Sequence, residues 1–278
     1  MLGASLRHRG DELLRRVEDL AAAAAKGSTA GIPLLHPWAN RLAGPRYEAA
    51  GRTVTLDLSS PLLHLDGNQL PMHGVGWPLL AWDVYEAKPD RIAARLDWSC
   101  AELLAVFPFP HRLEMMVTLR PGGLTVETTL AAGSEGPVPV SFGFHPYFGI
   151  PGLPRAQWRL TLPAMRRLAT DERGIPSGAE APVAAFDSLL GATHYDDGFT
   201  VPEEHAAFSL AGAGRRITVK FLAGYRYAQV FAPRDKDYIA IEPMTAATNA
   251  LASGRGLRLV EPGERFRAAF AVGVDSTA

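Results

Sequence analysis

Short runs in which apolar and polar residues alternate recur along most of this chain, and they restrict the folds open to it. Arg52-Thr-Val-Thr-Leu-Asp-Leu58 separates Val54, Leu56 and Leu58 by polar neighbours, the two-residue period of a half-buried strand. Runs of the same kind lie at Trp82–Ala87, Arg91–Trp98, Leu103–Phe109, Leu113–Leu119, Leu124–Leu130, Val138–Phe144 and Gln157–Leu162. They continue at Ile217–Phe221, Tyr227–Phe231, Tyr238–Ile241, Leu257–Val260 and Arg265–Val274. Pro121-Gly-Gly123 and Glu261-Pro-Gly-Glu264 separate neighbouring runs and read as hairpin turns. A dozen short strands without intervening helices predict an all-β sandwich, not a parallel α/β sheet.

Helical patterning is confined to Leu13, Leu14, Val17, Leu20 and Ala24, whose spacing predicts one amphipathic surface helix over Asp11–Ala25. Gly149–Pro154 and Asp171–Asp187 read as loops, and no linker or fixed-period repeat divides the chain. A single domain over residues 1–278 is therefore expected. A chain of this size buries roughly 75% of its unfolded surface, so a core forms without covalent staples. The one cysteine, Cys100, excludes an intrachain disulfide and a Cys-rich zinc site. It also suits a reducing compartment, and a cytoplasmic location is expected.

The net charge of −1 argues against a nucleic-acid partner. The apolar tract Ala21–Ala25 is far too short for a membrane span, and Leu2–Leu6, followed by Arg7, His8 and Arg9, does not read as a signal peptide, so none is expected. Lys26-Gly27-Ser28-Thr29 lacks the order of a Walker A loop, and Gly74 and Gly76 lack the third glycine of a dinucleotide fingerprint. There is no Gly-x-Ser-x-Gly elbow and no His-x3-His pair.

Four segments break the strand pattern by setting polar groups among aromatics and glycines: His36–Gly44, Met72–Trp77, Ser141–Phe148 and Ile241–Asn249. Each places a chargeable side chain in an apolar run, where burial costs several kcal/mol unless the group is paired or used. Taken singly, a histidine among Phe and Pro is an ordinary hydrogen-bonded core residue, and a Glu before Pro is an ordinary surface one.

In this order the segments resemble the aldose 1-epimerase (galactose mutarotase-like) family. The resemblance rests on Ala39-Asn40-Arg41, His73-Gly74, His145-Pro146-Tyr147-Phe148 and Ile241-Glu242-Pro243-Met244-Thr245, with Tyr195-Asp196-Asp197-Gly-Phe199 as a fifth element. It extends roughly from Leu6 to Val274. It implies a large antiparallel β-supersandwich with few short helices, interconversion of the α and β anomers of a free aldose, and no cofactor. It further implies Glu242 as general base, His145 as general acid, and Arg41, His73 and Asp196 as sugar-binding residues, with Asp197 as the one-residue alternative to Asp196. Val75 and Phe144 stand where better-known members carry a Gly and an Asn. Leu2–Leu6 resembles a strand that relatives place further into the chain.

Anomer exchange needs this pairing on chemical grounds. The anomeric O1 hydroxyl loses a proton while the ring oxygen O5 gains one, C1–C2 rotates, and the roles reverse on closure. A carboxylate and an imidazolium suit those tasks near neutral pH, and an Arg and a second His can steady charge on the ring oxygen. Trp38, Trp77 and Tyr147 are candidate stacking platforms for a pyranose, with core packing as the alternative.

Three other functions remain open at this point. A hexose-6-phosphate 1-epimerase would want a basic residue soon after His73-Gly74. Gly76–Leu80 supplies none, which leaves Arg46 and Arg226 as phosphate candidates. A non-catalytic carbohydrate-binding module would not need both Glu242 and His145. A glycoside hydrolase would use Glu242 and Asp196 as its two carboxylates. The expected partner is a small sugar, and a monomer and a homodimer are equally compatible with the sequence.

Overall fold

The computed structural model describes residues 1–25, 29–201 and 205–277. Lys26, Gly27 and Ser28 of the tract compared with a Walker loop lie outside those residues. Two nine-stranded sheets face each other across the interior, and every strand pairing within them is antiparallel. The first sheet runs Leu2–Gly3, Ile32–Leu35, Gly143–Phe144, Ile239–Met244, Tyr227–Ala232, Tyr195–Thr200, Met165–Thr170 and Pro176–Val183, with Tyr147–Phe148 also paired to Ile239–Met244. The second runs Phe186–Leu189, Arg159–Leu162, Ala207–Gly212, Arg215–Ala223, Arg265–Ser276, Gly123–Ala132, His111–Arg120, Arg91–Trp98 and Asp83–Lys88. This is the antiparallel β-supersandwich expected from the sequence.

The alternating runs that face the interior put Leu96, Leu113, Val126, Leu130, Val219 and Phe270 into one continuous buried cluster between the sheets. The Pro121–Gly123 turn is a true hairpin, because His111–Arg120 and Gly123–Ala132 pair throughout. Glu261–Glu264 also forms a turn, but Arg258–Val260 pairs with Val138–Val140 while Arg265–Ser276 enters the large sheet. It therefore joins two sheets and is no hairpin.

Three further expectations of local structure need correction. Leu103–Phe109 is not a strand, since Ala101–Val106 is helical and buries Leu103 and Val106 three residues apart. Ala, Glu and Leu favour that helix, and the extended stretch begins only at Phe107. The helix over Asp11–Ala25 shrinks to Leu20–Ala25, opened by Asp19 Oδ1, which accepts the Ala22 N–H at 2.9 Å. Upstream, Asp11–Glu12 pairs with Arg7–His8, and Leu13 and Leu14 are buried in the core. Glu12 Oε1 accepts the N–H groups of Leu6 and Leu14, which holds that stretch extended. Asp171–Asp187 is not a loop either, because Pro176–Val183 pairs with Met165–Thr170, Phe186 opens the next strand, and only 171–175 and 184–185 are irregular.

Among the described residues no helix is long and apolar enough to cross a membrane.

Candidate active site

The central strand Ile239–Met244 is buried along its whole length. Ile239 and Ile241 point into the core between the sheets, so Ala240, Glu242 and Met244 occupy the opposite face of the sheet. The neighbouring strand is broken. Gly143 pairs with Met244 and Tyr147 with Ala240, and the same register carried through the gap sets His145 opposite Glu242. Pro146 and Pro243 have no N–H to give to a ladder, which accounts for the break. The His145 N–H turns to Pro33 O instead, at 3.1 Å. The break frees the imidazole to face its cross-strand neighbour, and His145 Nε2 lies 3.1 Å from Glu242 Oε1.

Both groups are nearly sealed, with side-chain exposures of 7% and 2%. Glu242 Oε2 and His145 Nδ1 have no hydrogen-bond partner among the described residues. Burial raises Glu242 well above the ordinary carboxyl value, and the Asp196 charge adds to this while Arg41 opposes it. Burial lowers His145 well below the ordinary imidazole value, helped by His73. Both shifts disfavour charge, so the pair is poised to hold one shared proton. Tyr147 stacks on His145 with ring centroids 4.1 Å apart, and its hydroxyl is hydrogen-bonded to Thr29 Oγ1.

On the other side of Glu242 the register continues to Gln229 and then to Gly198. The absent side chain at Gly198 matters, because a Cβ there would lie 3.1 Å from Gln229 Oε1. Gln229 Nε2 donates to Asp196 Oδ1 at 2.7 Å. Alternation along Tyr195–Thr200 separates the adjacent acids: Asp196 shares a face with Gln229 and Glu242, whereas Asp197 points the other way and pairs with Arg167 at 2.8 Å.

The facing wall comes from outside the sheet. Asn40 and His73 both have left-handed backbones, at φ +59° and +64°. They are clamped together: the His73 N–H donates to Asn40 O at 2.9 Å, and the Asn40 N–H donates to His73 Nδ1 at 3.2 Å. An accepting Nδ1 leaves the ring proton on Nε2. Burial, with Arg41 and His64 adding, lowers His73 to about 3, so the ring is neutral. Gly74, also left-handed, brings its Cα against the His36 carbonyl, where any Cβ would collide. Arg41 is held by Asp66, whose Oδ2 accepts from Nε at 2.7 Å, and by Asn40 Oδ1, which accepts from Nη1 at 3.1 Å. Asp66 in turn accepts the N–H groups of Asn68 and Leu70, the pattern of an aspartate closing its own turn.

His73 and His145 meet edge to face at 5.6 Å, so the wall and the sheet converge. Glu242 feels the charges of both Asp196 and Arg41. The three aromatic expectations divide. Trp38 is buried in the core against Tyr47, which excludes it as a platform. Tyr147 belongs to the site, but one of its faces is already taken by His145. Trp77 is half-buried in the short turn that follows Gly76. Gln229 and Asp66 escaped the sequence reading. Gln229 was visible as the one polar residue inside the run Tyr227–Phe231, and Asp66 as the head of the Asp-Gly-Asn-Gln turn. Arg46 sits exposed on the small hairpin Arg46–Ala49/Arg52–Thr55, and Arg226 lines a separate cavity. Among the described residues no group of three or more His, Cys, Asp or Glu side chains is arranged to hold a metal ion.

Fold and site together define an antiparallel β-supersandwich that carries a buried carboxyl–imidazole pair on the face of one sheet opposite the core between the sheets. Known proteins place it further. The chain belongs to the aldose 1-epimerase family, whose model matches residues 4–272. It is 25% identical over 269 residues to the uncharacterized protein YihR of Escherichia coli K12, covering 86% of this chain and 79% of that one. Among solved structures, Slr1438 of Synechocystis superposes with a TM-score of 0.79 at 24% identity, over 100% of this chain and 90% of that one. A galactose mutarotase-like protein of Clostridium acetobutylicum gives 0.81 at 18% identity, over 96% and 86%. Galactose 1-epimerase of Lactobacillus acidophilus gives 0.74 at 16%, over 100% and 90%. At these identities the superpositions speak for the fold.

Proposed function

We propose that this chain interconverts the α and β anomers of a free, unphosphorylated aldose, with Glu242 and His145 as its proton-transfer pair. The observation that carries the reading is the 3.1 Å contact between these two buried groups on one face of the sheet. Ring opening moves the O1 proton to Glu242 while His145 delivers one to O5. The carboxylate–imidazolium pair thereby becomes a carboxylic acid and a neutral imidazole with no net proton exchanged with solvent. Rotation about C1–C2 and reversal of both transfers close the other anomer. The pair holds one proton throughout, and burial favours that count over either charged extreme.

His73, neutral with its proton on Nε2, is the donor suited to the ring oxygen as negative charge develops there. Arg41, locked by Asp66 and Asn40, and Asp196, held by Gln229, are suited to sugar hydroxyls. A phosphoryl group finds little support on this face. Of the cations named there, Arg41 is already paired with Asp66, and the acids Glu242 and Asp196 stand close by.

The test is polarimetry of freshly dissolved α-D-glucose and α-D-galactose in dilute buffer, with Glu242→Gln protein as the control for adventitious base catalysis. The reading requires acceleration by the wild-type protein and none by the variant. No acceleration of either sugar would overturn it.

A further inference from the structure

At the end of the sandwich where Gly224–Arg226 carries the chain from one sheet to the other lies a cavity of about 310 Å3. Four arginines line it, Arg226, Arg258, Arg265 and Arg267, and no acidic residue lines it among the described residues. Two of the four are braced from outside: Arg265 Nη1 lies 3.3 Å from Glu114 Oε2, and Arg267 pairs with Glu127. Arg258 lies over the Phe266 ring at 5.3 Å. Neither Arg258 nor Arg226 has a carboxylate within ion-pair distance among the described residues. Among the described residues, two of the four lining arginines thus meet a carboxylate and two meet none, which leaves positive charge in surplus there.

Two glycines of the lining sit in tight, left-handed turns. Gly224 has φ +74°, and a Cβ there would lie 2.6 Å from Arg267 O. Gly256, at φ +64°, is pressed against the Tyr227 hydroxyl. Neither position accepts a side chain. Guanidinium forks match phosphoryl oxygens, and several forks around one space suit a group with three terminal oxygens better than a carboxylate with two. The volume is at the lower end of small-molecule sites.

We propose that this cavity binds the phosphoryl group of a small molecule, at a site separate from the Glu242–His145 pair. Glu242, His145, His73, Arg41 and Asp196 are all absent from its lining. The inference does not depend on the epimerase reading.

Calorimetric titration at low ionic strength tests it, with inorganic phosphate and glycerol 3-phosphate as probes. Neither has an anomeric carbon, so neither can be turned over as an aldose. Saturable one-to-one binding is expected, weakened at least about tenfold in Arg226→Gln/Arg258→Gln. Both side chains are exposed, so the melting temperature of that variant should match wild type. Arg95→Gln/Arg112→Gln, which removes two surface-paired arginines elsewhere on the second sheet, should bind as wild type does. Tighter binding of the ester identifies an organic phosphate as the ligand, and equal binding identifies free phosphate; both support the site. Three results would overturn it: no saturable binding of either probe, no loss in Arg226→Gln/Arg258→Gln, or an equal loss in Arg95→Gln/Arg112→Gln.

Discussion

Asn40 donates its backbone N–H to His73 Nδ1, and His73 returns its own backbone N–H to Asn40 O. The two residues hold each other in left-handed conformations that cost of order 1–3 kcal/mol each where unsupported. What the clamp secures is a tautomer. With Nδ1 accepting, the His73 ring can only donate through Nε2. Nitrogen-15 NMR should therefore show His73 as a neutral Nε2–H imidazole at every pH from 5 to 8, in keeping with a pKa lowered to about 3. A ring that titrates near 6.5 would contradict the assignment.

The donor role leads to a kinetic expectation. A His73→Phe protein keeps a planar ring but loses the Nε2–H, and with it the hydrogen bond offered to the ring oxygen. Loss of one such donor lowers kcat by about 10²–10³-fold in comparable sites. The drop should be in kcat more than in KM, since the charge it stabilises exists only in the transition state. A change in KM alone would make His73 a ground-state contact.

Glu242→Gln and His145→Asn should each lower mutarotation by about 10²–10⁴-fold, the range for a lost general acid or base. Their fold should survive. Glu242→Gln removes a buried group whose charged form is strongly disfavoured, so its melting temperature at pH 8 should equal or exceed that of wild type. The sign follows from the raised pKa. A carboxyl that holds its proton when folded adds stability fully only below its unfolded pKa of about 4.5, and loses that contribution as pH rises toward the folded value. Unfolding in denaturant at two pH values separates this from a general loss of packing.

The rate should depend on pH as a broad bell with an unusually wide plateau. Activity requires the pair to hold one proton, which fails when it gains a second on the acid side or loses its last on the basic side. Burial penalises both changes, since it lowers His145 and raises Glu242. The macroscopic limbs should therefore lie further apart than the unperturbed values of about 4.3 and 6.5. A narrow bell set by those two values would show that the pair is solvated in the working enzyme.

The strands between residues 91 and 130 were legible because each turns one face to the core, so burial itself writes the period into the sequence. The acid–base row was legible only as motifs. Nothing local to Glu242 or Gln229 says that a break at Pro146 sets His145 beside them, because cross-strand register is a property of three separate segments. Leu103–Phe109 misled for the opposite reason. Its apolar residues satisfy both periods over so short a span, and tertiary packing chose the helix. Pro176–Val183 was missed because, as the last strand of its sheet, it buries little and shows no clean alternation.

A second histidine pair, remote from the chemistry, should govern acid stability. His111 Nδ1 lies 2.6 Å from Phe109 O and must donate to it, so His111 Nε2 is an acceptor, and His36 Nε2 donates to it at 2.9 Å. Trp98 stacks on His111 at 5.5 Å and meets His36 edge-on at 4.9 Å, and Phe107 closes on both. Burial lowers His111 to about 4, the Phe109 carbonyl opposing the shift, and burial together with His111 lowers His36 well below its usual value. Between pH 6.5 and 4 the unfolded chain takes up protons that the folded pair refuses. Stability is full above about 6.5, falls as pH drops, and has lost the His111 share, about 3 kcal/mol, by pH 4. Replacing both partners, as His36→Leu/His111→Phe, should flatten the fall of the wild-type melting temperature across that window. His111→Phe alone should instead destabilise at neutral pH by about 1–3 kcal/mol, because it leaves the His36 N–H buried without an acceptor. If the double variant loses stability between pH 6.5 and 4 as steeply as wild type, protons are entering elsewhere and the pair is not the acid-sensitive element.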